Sequence, residues 1–123
     1  MDFALPAAMI ATSEARLREE MRPLGIERGG ELYLPPVQAL EFSRRCREAS
    51  LCVVGVECFE RAGENVRPRL DLVADWSDVD AATWAARVRA CHASTVTFLQ
   101  RLPAEPPLLV TLTVLAEDEW PSA

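Results

Sequence analysis

The chain has 123 residues and a mass of 13.6 kDa, room for one domain around one core and too little for two. Half of its residues are hydrophobic and 26% are charged, which excludes a disordered or fibrous chain, and no apolar run reaches the roughly eighteen residues that cross a bilayer. Acids outnumber bases 19 to 13, for a formal net charge of −6, so the domain repels phosphate backbones and suits a basic protein partner rather than nucleic acid.

Residues 1–11 are apolar enough to resemble a leader. Asp2, however, stands where a basic start is needed and Pro6 interrupts the run, which predicts retention in the cytoplasm. Residues 13–21 read as a helix that Ser13 can cap and that Pro23 and Gly25 end. Gly29 and Gly30 form a loop, and residues 31–34 a short extended piece before Pro35 and Pro36. Proline suits a first helical turn, so a second helix is expected over 36–49, with Val37, Leu40 and Cys46 as core positions.

Residues 51–60 read as the central strand. Cys52-Val53-Val54-Gly55-Val56 is a continuous apolar run, as expected of a strand covered on both faces, and Gly55 within it suggests a bulge or a close backbone approach. The Gly63-Glu64-Asn65 stretch predicts a loop over 61–68 and then a second strand over 69–74, paired with the first as an antiparallel hairpin. Alternation puts Leu70, Leu72 and Ala74 on one face of that strand and Arg69, Asp71 and Val73 on the other. Asp78 or Asp80 can cap a long helix over 81–102, whose Trp84, Val88, Cys91, Thr95, Phe98 and Leu102 are spaced as one stripe. Pro103 and Pro106-Pro107 stop it, and Leu108–Leu115 is the last strand. The expected fold is α+β: a small, mainly antiparallel sheet of three or four strands with two or three helices packed on it. It forms a single domain over 1–123, whose acidic tail, 116–123, is loosely held.

Chemistry-bearing residues are few. His92 is the sole histidine, and its neighbour Cys91 faces another way on the same helix, so no catalytic dyad is expected there. Carboxylates are plentiful, but abundance alone does not mark a glycosidase pair. The five glycines form no phosphate loop, and Cys46, Cys52, Cys58 and Cys91 lack metal-site spacing, so no cofactor or metal is expected and the thiols read as small buried hydrophobes. What stands out is acid around the hairpin: Glu57, Glu60, Glu64, Asp71, Asp75, Asp78 and Asp80 against Arg61, Arg67 and Arg69, with Trp76 among them. An aromatic rimmed by acids suits a binding hot spot, although Trp76 tucked into the core fits the same pattern. Glu57 interrupts an apolar strand, so it either projects from an open sheet face or is buried and paired.

Several of these segments resemble the Immunity protein 40 family of bacterial polymorphic-toxin systems. They are a helix with Ala39-Leu40-Glu41, a strand with Val54-Gly55-Val56-Glu57-Cys58-Phe59, and a second strand ending in Asp75-Trp76. The Phe98-Leu99, Pro103 and Leu108 to Val114 sequence follows in similar order and spacing. The likeness covers about two thirds of the chain, and the first thirty residues and Cys58 depart from it. The resemblance implies a protein that is not an enzyme and that binds one cognate toxin domain, encoded beside it, in the producing cell. Charge and aromatic placement, not the resemblance, choose the toxin-binding candidates Glu57, Glu60, Asp71, Asp75, Trp76 and Asp78. A secretion chaperone or adaptor, or a small enzyme, stands as the alternative.

Overall fold

The computed structural model describes residues 7–120, with side chains described from Ser13 onward, so the leader-like residues 1–6 lie outside the described residues. Three helices and two antiparallel sheets form an α+β fold. Helix α1 (Ala7–Met21) starts earlier than the sequence suggests and turns through a 3-10 segment (Arg22–Leu24) into a small hairpin of β1 (Ile26–Arg28) and β2 (Glu31–Tyr33). The sequence shows only the second of these strands, whose Leu32 and Tyr33 continue into Leu34 as an apolar run, whereas Ile26 stands alone between Gly25 and the charged Glu27 and Arg28. Helix α2 (Pro36–Glu48) follows, then β3 (Cys52–Ala62), β4 (Asn65–Asp75), α3 (Trp84–Gln100) and β5 (Leu108–Leu115).

The main sheet has the order β4-β3-β5, with β3 central and antiparallel to both neighbours. The expected loop over 61–68 is instead strand. Ala62 pairs with Asn65, and only Gly63 and Glu64 turn the chain, with Gly63 at φ +64. Glycine takes this left-handed conformation without the Cβ clash, so the hairpin closes in two residues. Two irregularities shape the sheet. The β3–β5 register shifts between Val53 and Gly55, the bulge that Gly55 signals. On the other side Glu57 pairs with Val73 but Cys58 with Arg69, so Leu70, Asp71 and Leu72 bulge out of β4. That slip breaks the expected alternation: Leu72 and Ala74 pack against the core while Leu70 stands 84% exposed.

The core lies between the sheet and the helices. Phe42, Ala39 and Cys46 of α2 and Leu99 of α3 meet Val53, Val56 and Cys58 of β3 and the inward residues of β5. Val37, an expected core position, is 73% exposed, because the helix turns Ala39, Phe42, Ser43 and Cys46 inward instead. Burying a side chain such as Phe42 contributes about 2 kcal/mol or more from apolar transfer alone. Helix α3 starts later than expected, at Trp84: Thr83, not Asp78 or Asp80, is the N-cap, its Oγ1 accepting from Ala86 N–H at 3.1 Å.

Strand β5 has a covered edge. Leu34 and Val110 exchange both backbone hydrogen bonds, at 2.9 and 2.7 Å, and the Arg18 guanidinium donates to the Leu112 carbonyl at 3.1 Å. Gly25 makes this junction feasible. A Cβ there would sit 2.3 Å from the Tyr33 carbonyl oxygen and 2.8 Å from Leu34 Cδ2. Gly25→Ala should therefore push the small hairpin off β5 at a cost of about 2 kcal/mol, read as a lower urea midpoint. An unchanged midpoint would show that the hairpin contributes nothing to stability.

The tail is less loose than expected. Ala116 is buried, Glu117–Glu119 form a 3-10 turn, and Trp120 packs edge-on against Trp84 with ring centroids 6.0 Å apart. Residues 121–123 lie outside the described residues. No helix among the described residues is long and apolar enough to cross a membrane.

Candidate functional site

The six acid and aromatic candidates do not form one patch. Strand β4 divides them, because adjacent residues of a strand point to opposite faces. Leu72 lines a groove of about 530 Å³ between β4 and α3, together with Trp76, Ser94, Thr97, Phe98 and Arg101. Val73 lines a second, smaller hollow of about 300 Å³ on the opposite sheet face, together with Gly55, Glu57, Asp75, Ser77 and Thr113.

Trp76 is half-buried at the wall of the groove. Its Nε1–H donates to Thr95 Oγ1 at 3.0 Å, its ring meets Phe98 edge-to-face at 6.3 Å, and its backbone N–H donates to the Val54 carbonyl at 2.7 Å. The indole is thus satisfied from within and holds the β4 end against α3, with one face left to the groove. It is not the free-standing hot spot that its acidic neighbours suggest.

Glu60 and Asp71 are spent on arginines. Glu60 accepts from Arg67 at 2.8 Å and from Arg69 at 2.9 Å, and Arg69 grips Asp71 with two bonds of 2.9 Å. The hydrogen bond from Arg67, reinforced by Arg69, holds the Glu60 carboxyl below its usual range, and Arg69 with the backbone N–H of Asp71 does the same for Asp71. These acids bring little net field outward, since each already has a cation beside it. The pairing of Glu60 with Arg67 follows from the two-residue turn, so a correct reading of Gly63-Glu64 would have found it.

Glu57 is exposed, projecting into the smaller hollow between Val73 and Thr111, its cross-strand partners. Asp75 is also exposed there, its Oδ1 accepting from Ser77 N–H at 2.7 Å. Hydrogen bonds from Ser77 hold its pKa below the usual carboxylate range. Asp78 is exposed in the following loop. Val73, half-exposed, shares this hollow with Glu57 and Asp75, and Leu70, in the bulge of the same strand, is exposed as well.

Catalytic chemistry has one further candidate that sequence reasoning missed. Ser43 Oγ of α2 lies 2.8 Å from His92 Nδ1 of α3. A serine beside a histidine is a nucleophile's arrangement, yet Ser43 is fully buried and no carboxylate among the described residues hydrogen-bonds the imidazole. The pair pins two helices. Burial, with the Arg47 charge, lowers the His92 pKa below its usual 6.5, so the folded chain binds the proton less well than the unfolded one. Stability should accordingly fall as pH drops below about 6.5, before the carboxylates titrate, and His92→Gln should flatten that limb of a plot of melting temperature against pH. An unaltered slope would remove His92 from the account. Among the described residues no group of three or more His, Cys, Asp or Glu is placed to hold a metal ion.

The chain matches no protein-family model, no curated protein and no solved structure.

Proposed function

We propose that the chain is an immunity protein of the kind its sequence resembles: a stoichiometric inhibitor, not an enzyme, that binds a cognate toxin domain in the cytoplasm of the producing cell. The observation that carries the reading is the pair of exposed aliphatics on β4, Leu70 at 84% and Val73 at 50%, with Val73 sharing a hollow with Glu57 and Asp75. Exposed aliphatics near acids that have no ion pair among the described residues favour a partner with an apolar patch and a basic rim. A contact of ordinary size, roughly 800 Å² per partner, spans this side of β4 and its hollow. Occlusion needs no chemistry from the inhibitor, in keeping with a Ser43–His92 pair that is closed to substrate.

The test is co-expression with the toxin domain encoded by the adjacent gene, scoring survival and a one-to-one complex by size-exclusion chromatography. Rescue with a stable complex is expected, and Leu70→Asp should abolish both while leaving the melting temperature unchanged. A complex without rescue would replace this reading with that of a secretion chaperone, and no complex would overturn both.

A further inference from the structure

The groove between β4 and α3 has chemistry that a partner on the other sheet face does not use. Its volume of about 530 Å³ lies within the usual range of small-molecule sites, about 300–1,000 Å³. Successive turns of α3 build one wall. Ser94, Thr97 and Arg101 recur at intervals of three and four residues and so share one stripe, with Phe98 and Leu102 beside them. Trp76 closes the other side, its hydrogen bond to Thr95 Oγ1 and its edge contact with Phe98 leaving one indole face to the groove. In a chain with 19 acids to 13 bases, none of the described residues lining this groove is acidic. Its single charge is Arg101, exposed and without a side-chain hydrogen bond or ion pair among the described residues. The backbone there is held as the C-cap of α3, its N–H donating to the Phe98 carbonyl at 3.2 Å. Trp76 is tied at Thr95, and Arg101 follows six residues later, about 9 Å along the helix axis.

We infer that this groove is a binding site for a small aryl carboxylate, its ring against the Trp76 face and its carboxylate on the Arg101 guanidinium. Each part of that ligand answers a feature of the site. A flat ring covers the apolar area of Phe98 and Leu102 and stacks on the indole face. The Arg101 fork takes a carboxylate through two parallel hydrogen bonds, and the Ser94 and Thr97 hydroxyls on the same stripe offer further donors. A span of about 9 Å between the two anchors suits a bicyclic ring with one methylene before the carboxylate. An acid as short as acetate reaches one anchor only, and an aliphatic acid brings no flat face to Trp76. The site lies on the sheet face opposite Glu57, Val73 and Asp75, so ligand and protein partner can be held together.

The probe is 2-naphthylacetate, with 2-naphthylacetamide as its uncharged match, titrated into the full chain and followed by calorimetry and by amide and indole N–H spectra. Saturable one-to-one binding of the acid below about 1 mM is expected, with the amide about tenfold weaker. The Trp76 indole and Thr97 resonances should shift, while those of Trp84 and Trp120, which pack on each other outside the groove, should hold. Arg101→Gln should erase the preference, so that acid and amide both bind as the amide binds wild type. That side chain is exposed and unpaired, so the variant keeps its fold. Thr97→Trp, at an exposed position on the wall, should plug the groove and abolish binding of both compounds at an unchanged melting temperature. Equal affinities for acid and amide in wild type would assign Arg101 to the carbonyl end of α3 and overturn the proposal. Shifts at Trp84 and Trp120 in place of Trp76 would overturn it too. Without saturation it also falls, and Thr97→Trp then reads what covers the groove: a dimer turned monomer points to a second copy, a lost complex to the co-expressed toxin domain.

Discussion

Trp76→Ala should cost about 3 kcal/mol of folding stability, the largest loss expected from any single exposed-side substitution in this chain. The change removes the edge contact with Phe98, opens the groove wall between β4 and α3, and leaves Thr95 Oγ1 without its donor. Thr95 still donates to the Cys91 carbonyl at 2.8 Å, so the helix keeps its own bond and the damage falls on the packing between layers. Trp76→Phe separates the two contributions: it retains an aromatic ring and loses only the N–H, for about 1 kcal/mol. Urea midpoints of the three proteins decide the matter, and a Trp76→Ala midpoint equal to wild type would show that the indole rests on the surface. Because the phenylalanine variant stays folded, it is also the fair probe of contact. A tenfold or greater loss of partner affinity in that variant alone would place the indole N–H edge in the interface.

The second large effect is kinetic. Glu57→Arg combined with Asp78→Arg should slow association with a basic partner by about a hundredfold at low salt and much less at high salt. Both side chains are exposed, so melting temperature should hold. Asp75 is left out of the pair because it accepts from Ser77 N–H, and reversing it would loosen the turn as well as the field. Glu60→Gln is the comparison at a paired acid. Its charge is already offset by Arg67 and Arg69, so it should barely alter the association rate. Slowing by Glu60→Gln in proportion to its smaller change, one charge against four, would mean that overall charge, and not these exposed acids, steers the encounter.

The elements that were legible in the sequence are those whose signal is local and long. The apolar run at Cys52 to Val56 marks a doubly covered strand, and the last strand, Leu108–Leu115, falls where its apolar run and the preceding prolines put it. What stayed hidden depends on pairing. Alternation along β4 predicts Leu70 inward, but the three-residue slip opposite Glu57 and Cys58 is a property of two strands together and leaves no mark on either. The site suffers most from this. Which acids are free is settled by cross-strand neighbours: Glu60 meets Arg67 only because Gly63 and Glu64 alone form the turn, whereas Glu57 meets Val73 and Thr111. The partner of Trp76 was out of reach for the same reason. Thr95 lies on a helix that returns across the sheet after a long connection, and sequence spacing does not encode that crossing.

The capped edge of β5 has a consequence for self-association. Growth of a β-structure copy upon copy requires every unit to offer two open borders, one to receive a neighbour and one to pass the template on. Among the described residues Arg18 and the Leu34 bridge occupy one border of the three-stranded sheet, and its other border, β4, is open but interrupted by Pro68 and by its bulge. Two chains meeting through their β4 strands would each present only a sealed side outward. The pile would stop at two, which keeps a protein with an exposed leucine on its rim from seeding a fibre.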